Sequence, residues 1–398
     1  MNAKYRGLSL CAALVAATVG AVAVYPSLHG AATQAITGTQ TTAAHQAVEV
    51  VFVLDTTGSM SGLIATAKEK IWSIASTMAQ ADQAPVIRMG LVAYRDRGDV
   101  YVTRIVDLSS DLDTMYAMLM DFAADGGGDT PESVNQALGD AIERMSWSQD
   151  ASTYKVVFLV GDAPPHTDYS QDRQYPEILA AAREHGILVN TIQCGGMPET
   201  AQTWAEIARL GHGRYFQVEQ AGSALAVATP FDAELARLSA ELDSTRLYYG
   251  SAADRAAMDR KVAATAKLHD GASVAARARR GVFNASASGL TNLLGENELV
   301  DAVASGRVDL AAVPASELPE PIRDLAPAGQ QAAIDDLLEK RGALQGRIEA
   351  LAGQRSQFIA DEVAAAPQAP SSLDRQIYET VREQAKDVGL EYTEGPAY

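Results

Sequence analysis

The sequence predicts an α/β fold: a doubly wound, mostly parallel sheet with helices on both faces and one antiparallel edge strand, followed by an α-helical C-terminal region. Three observations carry this expectation. From Val48 to about Val218, short apolar runs alternate with segments whose apolar residues recur every three or four positions, the pattern of strands covered on both faces by intervening helices. The runs Val86 to Tyr94 and Val100 to Leu108 are joined only by the charged, turn-like stretch Arg95 to Asp99, which suits a hairpin and hence an antiparallel edge. Past Gly222 the chain becomes alanine-rich with few strand signals.

In order along the chain, Lys4 and Arg6 precede an apolar run from Leu8 to Val24, with small residues at Ala21 and Ala23. Residues 1–23 therefore read as a signal peptide or as a single membrane anchor. Both readings place the bulk of the chain outside the cytoplasm, in a periplasm, secreted, or tethered by its N-terminus. Loss of this segment leaves Cys194 as the only cysteine, so no intramolecular disulfide is expected, and its apolar surroundings make Cys194 a buried small hydrophobe. Residues 24–47, without apolar periodicity, read as a flexible linker.

The first domain is expected over 48–222. Val48 to Asp55 forms its first strand, and Ser61 to Gln80 a helix, with Leu63, Ile64, Ala67, Ile71, Ile74 and Met78 on one face. After the hairpin come helices near Asp111 to Ala123 and Pro131 to Met145, the latter with Pro131 at its first position. The rest of the domain reads as strand Tyr154 to Val160, helix Tyr175 to His185, strand Ile187 to Cys194, helix Glu199 to Leu210 and strand Arg214 to Val218. A helical region spans 223–326, read as Ala224 to Leu247, Ala252 to Ala278 and Gly289 to Ser305, then a proline-punctuated stretch from Pro314 to Pro327. In the last segment, 327–398, Ile334, Leu337, Leu344, Ile348, Leu351 and Phe358 fall on heptad a and d positions, with Arg341 and Arg355 on two others of the a series. Two readings stand for this helix: self-association through residues 331–359 as a coiled coil, or packing on its own domain.

Composition narrows the function. The chain has 398 residues, 47% of them hydrophobic and 21% charged, enough for two structured units and far from the regime of disordered chains. Acidic residues outnumber basic ones 50 to 32, for a net charge of -18. Polyanion binding needs cationic neutralisation, so nucleic acid is excluded as an expected partner.

In a doubly wound sheet the binding crevice lies at the carboxyl ends of the strands. There the segment Asp55-Thr56-Thr57-Gly58-Ser59-Met60-Ser61 leaves the first strand, bringing Asp55, Thr57 and Ser59 around one point. Thr130 ends the loop Gly126-Gly127-Gly128-Asp129-Thr130, and Asp162 follows the strand Tyr154 to Val160. These residues resemble the Asp-x-Ser-x-Ser, Thr and Asp set of von Willebrand factor A domains, the metal-ion-dependent adhesion site, over about Val48 to Gly222. Thr57 stands where Ser is usual and keeps the hydroxyl oxygen. The wording Tyr94-Arg95-Asp96 and Gly161-Asp162-Ala163-Pro164-Pro165-His166 resembles a group of exported bacterial members.

The resemblance implies a divalent cation held by Asp55, Thr57, Ser59, Thr130 and Asp162, Mg²⁺ first, with Mn²⁺ or Ca²⁺ as alternatives. Hard oxygen donors suit such an ion, which keeps positions for water or an incoming ligand. It also implies a module that captures an acidic group of a protein or other macromolecule. Asp129, Glu132 and His166 are candidate rim residues. Arg97-Gly98-Asp99 reads as turn chemistry. No His-Glu-x-x-His, phosphate loop or Gly-x-Ser-x-Gly elbow occurs, so no enzyme activity is expected. A helical assembly scaffold, and behind it a metal-dependent hydrolase, are the alternatives.

Overall fold

The computed structural model describes residues 46–128, 130–218, 227–365 and 373–392. The leader and linker readings over residues 1–45 lie outside these, as does Asp129. No helix among the described residues is long and apolar enough to cross a membrane.

The first half alternates as the sequence predicts: β1 (Ala47–Asp55), α1 (Leu63–Met78), β2 (Val86–Tyr94), β3 (Thr103–Ser109), α2 (Leu112–Met120), α3 (Val134–Glu143), β4 (Tyr154–Gly161), α4 (Tyr175–Glu184), β5 (Ile187–Cys194), α5 (Pro198–Leu210) and β6 (His212–Val218). The six strands lie in the order β3-β2-β1-β4-β5-β6. All neighbours are parallel except β2 and β3, the hairpin at the edge. Strand order reverses between β1 and β4, so the crevice that opens at such a switch point falls between the ends of these two strands.

The near-continuous apolar runs are explained by burial on both sides. Val50, Phe52 and Leu54 of β1, with Val156 and Phe158 of β4, face one core; Val51, Val53, Val157 and Leu159 face the other. The second core is roofed by α3, α4 and α5, through Leu138, Ile178 and the fully buried Trp204. The first is roofed by α1 and α2, where Trp72 is fully buried against Tyr116. Truncating a buried tryptophan of this kind costs roughly 3–5 kcal/mol.

Two local expectations are corrected. The helix expected to open at Pro131 starts at Val134. Glu132 is instead pulled into the sheet edge, its N–H donating to the Pro164 carbonyl and its own carbonyl accepting from His166 N, and the Thr130–Pro131 peptide is cis. The helix expected from Ala252 to Ala278 breaks into α7 (Ala252–Gly271) and α8 (Val274–Ala285), where the Ser273 side chain accepts from Ala276 N and starts a new helix.

The remaining helices are α6 (Asp232–Asp243), α9 (Leu290–Leu294), α10 (Leu299–Ala304), α11 (Glu320–Arg323), α12 (Pro327–Ala365) and α13 (Leu373–Ala385). On α12 the heptad seam is turned inward. Leu344 and Ile348 join Leu235, Leu238 and Leu242 of α6 in one cluster, and Ile334 joins Leu299, Val300 and Ile322 in another. The two charged a positions have buried partners: Arg341 donates to both carboxylate oxygens of Glu298, and Arg355 Nε to Asp232 Oδ1 at 2.8 Å. The seam expected to pair copies is therefore occupied within the chain, and the packing reading holds.

The chain then returns to the sheet. Leu373, Ile377, Tyr378 and Val381 of α13 belong to the first core beside α1, and Gln384 bonds Tyr154 and Asn190 on β4 and β5. Whereas a boundary at 222 is expected from composition, the layer covering the sheet is completed by residues 373–392, on the far side of the helical region. The helix expected over Ala224 to Leu247 spans Asp232–Asp243, as α6, and packs on α8 and α12.

Candidate functional site

Asp55 is the last residue of β1, paired across to Tyr94, and Asp162 follows the last residue of β4. The register sets Leu54 beside Val160, so the two carboxylates flank the switch point. Between them runs a line of oxygens. Thr57 Oγ1 donates to Asp55 Oδ1 at 2.6 Å and lies 3.1 Å from Ser59 Oγ, which donates to Asp162 Oδ1 at 3.1 Å. The Thr57 N–H also donates to Asp55 Oδ1, at 2.9 Å. Three oxygen–oxygen contacts share two hydroxyl protons, so the Thr57–Ser59 contact has none left once both carboxylates are served. Asp55 Oδ2 is buried with no hydrogen-bond partner. An array of hard oxygens with surplus lone pairs and a bare buried carboxylate oxygen fits a hard divalent cation. Among the described residues no group of three or more His, Cys, Asp or Glu side chains is spaced to hold a metal ion; the set here rests on two carboxylates and on hydroxyls.

The turn after β1 is pinned by its neighbours. The Thr56 N–H and hydroxyl both donate to the Tyr94 carbonyl, and the Thr56 carbonyl accepts from Asp125 N and Arg95 Nε. Gly58 N donates to the Gly126 carbonyl at 3.0 Å, laying the glycine-rich loop over the turn. Gly126 and Gly127 have φ of 73° and 71°, a conformation that side chains with a Cβ resist, and a Cβ on Gly127 would sit 2.9 Å from Thr57 Cβ. At Gly161 a Cβ would run into the Tyr94 hydroxyl and lie 3.0 Å from Asp55 Oδ2, so only glycine lets β4 approach Asp55 this closely.

Electrostatics make the site cation-demanding. Burial, helped by the Asp162 charge, pushes Asp55 up to about 7. Burial also raises Asp162. Glu132 is pushed up to about 9 by burial and then by the charges of Asp55, Asp96, Asp99 and Asp162. The nearby Arg95 is turned away, its guanidinium spent on the carbonyls of Thr56 and Ala123. A dication would lower all these carboxyls together.

The five expected ligands are not equally placed. Asp55, Thr57, Ser59 and Asp162 form one connected cluster. Thr130 is exposed on the overlying loop, and no hydrogen bond among the described residues ties it to the other four. Of the rim candidates, Glu132 is buried with Oε2 unpartnered. His166 is buried: its ring stacks on Tyr169 at 3.9 Å, Nδ1 lies 2.7 Å from Asp168 Oδ1, and Nε2 lies 3.4 Å from Asp96 Oδ2.

Asp96 is a residue the sequence reading did not single out as a site residue. Its buried carboxylate accepts from Ser133 and Tyr169 and so fixes the start of α3 and the loop after β4. Asp99 likewise accepts from Gly127 N at 3.0 Å and orders the glycine loop. Both follow β2, the strand next to β1, so position past a neighbouring strand end was the available signal. Arg97-Gly98-Asp99 is a turn, as expected: Gly98 has φ of 97°, Arg97 stacks on Tyr169, and Asp99 faces inward.

The family model described as von Willebrand factor A domain matches residues 49–230. A putative ariadne-like RING finger protein R811 of Acanthamoeba polyphaga mimivirus is 28% identical over 120 residues, 30% of this chain and 11% of that protein. Alpha-protein kinase vwkA of Dictyostelium discoideum is 30% identical over 137 residues, 33% of this chain and 21% of that one. The chain thus spans a small part of the length of these curated relatives. Among solved structures, a von Willebrand factor type A protein from Catenulispora acidiphila has 17% identity and a TM-score of 0.34, over 44% of this chain and 39% of its own. The SpRpn10 VWA domain has 11% identity and a TM-score of 0.34, over 44% of this chain and 89% of its own. Residues 49–230 of this chain belong to the von Willebrand factor A domain family.

Proposed function

We propose that this protein is an exported binding module that holds a divalent cation, Mg²⁺ foremost, through Asp55, Thr57, Ser59, Thr130 and Asp162, and uses it to capture a carboxylate on a protein or other macromolecule. The family suggests an interaction or adhesion module. The observation that carries the metal reading is the proton-poor line of oxygens from Asp55 to Asp162, with Asp55 Oδ2 buried and unpartnered. The cation would supply a Lewis-acid position for an acidic ligand. The chain's own residues orient that position: Thr56 and Arg95 pin the turn, and the glycine loop limits access from above. The inward seam of α12 disfavours the scaffold alternative, because its apolar face is already covered.

Calorimetric titration of Mg²⁺ and Mn²⁺ into the metal-stripped chain tests this, beside Asp55→Ala and Asp162→Ala variants checked for folding by circular dichroism. One ion bound by the parent and lost in both folded variants is expected. No binding by the parent at millimolar metal overturns the metal reading and leaves the interaction module without its proposed mechanism.

A further inference from the structure

The loops that frame the strand-end cluster are acidic toward solvent. Asp125, whose N–H donates to the Thr56 carbonyl, has a side chain 77% exposed, and that of Asp168, two residues past His166, is 73% exposed. Glu199 is exposed beside Thr200, whose hydroxyl donates to the Asp162 carbonyl at 3.0 Å. These loops carry no lysine, and the arginines on their described residues are already committed. Arg95 is buried and spent on the carbonyls of Thr56 and Ala123, Arg97 is paired with Asp172, and Arg173 with Glu143. Asp125 lies 3.8 Å from the Arg95 guanidinium and Asp168 meets His166 Nδ1, but both carboxylates stay largely in water.

Beneath this rim two buried carboxylate oxygens, Asp55 Oδ2 and Glu132 Oε2, have no hydrogen-bond partner, in residues 0% and 3% exposed. Leaving such atoms unpaired is costly, so the acidic face surrounds a point that calls for a ligand. Two apolar side chains also reach solvent here. Val100 is 80% exposed, between Asp99, which accepts from Gly127 N, and Tyr101, whose hydroxyl lies 2.7 Å from Thr56 Oγ1. Met197 is 39% exposed where β5 leads into α5.

We infer that the partner at the strand-end ion is a protein segment that presents one isolated carboxylate between cationic flanks, with an apolar side chain against Val100 or Met197; this rests on the metal-binding reading above. The ion draws in a single carboxylate, while every further acid on the ligand meets the like charges of the rim, which act over about 30 Å at about 0.01 M salt. A polyuronate carries a carboxylate on each sugar and is disfavoured for that reason. Lysine or arginine on either side of the captured acid is drawn instead to Asp125, Asp168 and Glu199. The rim therefore selects as much by repulsion as by attraction.

The test loads the full chain with Mn²⁺, follows occupancy by loss of the free-ion paramagnetic resonance signal, and reads capture as paramagnetic relaxation of ligand protons, with the Asp55→Ala chain as baseline. Its probes are the capped peptides Lys-Leu-Asp-Leu-Lys and Glu-Leu-Asp-Leu-Glu and the sugar trigalacturonate. The cationic peptide is expected to bind at least about tenfold more tightly than either acidic probe at about 0.01 M salt, with the gap falling below about threefold at about 0.5 M. Asp125→Asn combined with Glu199→Gln should narrow the low-salt gap, and Val100→Ser should weaken the cationic peptide severalfold. If the chain takes up no Mn²⁺, the metal reading falls and this inference with it. If Mn²⁺ is held but an acidic probe binds as tightly as the cationic peptide, or none of the three is relaxed beyond the baseline, the metal reading stands and the inference alone is overturned.

Discussion

Removing the guanidinium of Arg280 should detach the sheet domain from the helical region. Arg280 is fully buried. It reaches Asp113 on α2 through Nε at 2.7 Å and through Nη2, and it reaches Asp243 and Ser239 on α6 through Nη1, at 2.7 and 2.9 Å. In Arg280→Met, Asp113 keeps Thr265 and Asn292 and Asp243 keeps His269, but the cation they share is gone. Breaking a buried pair from one side costs about 3–5 kcal/mol, against a total of roughly 5–15 kcal/mol for a folded domain. Urea unfolding followed by tryptophan fluorescence should show that loss, since Trp72 lies 6.0 Å from Phe283 across the same boundary.

The pH dependence has a definite sign. Burial alone would raise Asp113, but the Arg280 charge and hydrogen bonds outweigh it and hold the carboxyl far below its ordinary value of 3.8. A depressed folded value means the stabilisation is present above about pH 4 and is lost as pH falls through the folded value. The gap between parent and Arg280→Met should therefore narrow only in acid. A loss under about 1 kcal/mol at neutral pH, typical of exposed ion pairs, would refute the reasoning.

Three further outcomes follow from the structure. In the metal-stripped chain, Asp55 and Glu132 titrate above their unfolded values, so stability should fall as pH rises from about 5. The Asp55 share should end near pH 7 and the Glu132 share near pH 9; a flat profile in denaturant titrations would count against the buried-acid cluster. Gly161→Ala should cost roughly 1–3 kcal/mol by overpacking and weaken Mg²⁺ binding by displacing Asp55, both measurable in one melting series with and without metal. A peptide of residues 327–365 should sediment as a monomer, because two seam positions are arginines whose carboxylates, Glu298 and Asp232, lie elsewhere in the chain; a stable dimer would reverse that conclusion.

The strands were legible because central parallel strands are buried on both faces, which leaves an apolar run such as Val48 to Asp55 with few other readings. Asp55, Thr57, Ser59 and Asp162 were legible because they sit at strand ends that the alternation itself locates. Other features depend on contacts distant in sequence. The late start of α3 follows from Glu132 pairing with Pro164, and the inward turn of α12 from Glu298 and Asp232 meeting its arginines; heptad spacing is the same whether the covering surface belongs to another copy or to the same chain. Asp96 went unread because its role, joining Ser133 and Tyr169, exists only once three loops meet.

The return of α13 to the sheet raises a question of chain entropy. Closing a flexible loop of about 150 residues costs on the order of 4–5 kcal/mol, the logarithmic term alone, a charge that α13 would bear each time it docked. The insert reduces it by closing on itself. At its neck, Val227 packs with Ile359 and Val363, Phe231 meets Phe358 edge to face, and Asp232 binds Arg355, so the start of α6 and the end of α12 are held side by side. The chain therefore re-emerges close to where it left. Phe358→Ala should loosen this neck and, at a cost on the order of 1–3 kcal/mol for a partly buried ring, transfer part of the closure entropy to α13. Hydrogen exchange should then report faster opening of 373–385 than of β1 or β4, whereas an equal change across the whole sheet would mean that the neck stabilises the fold generally and does not deliver the last helix.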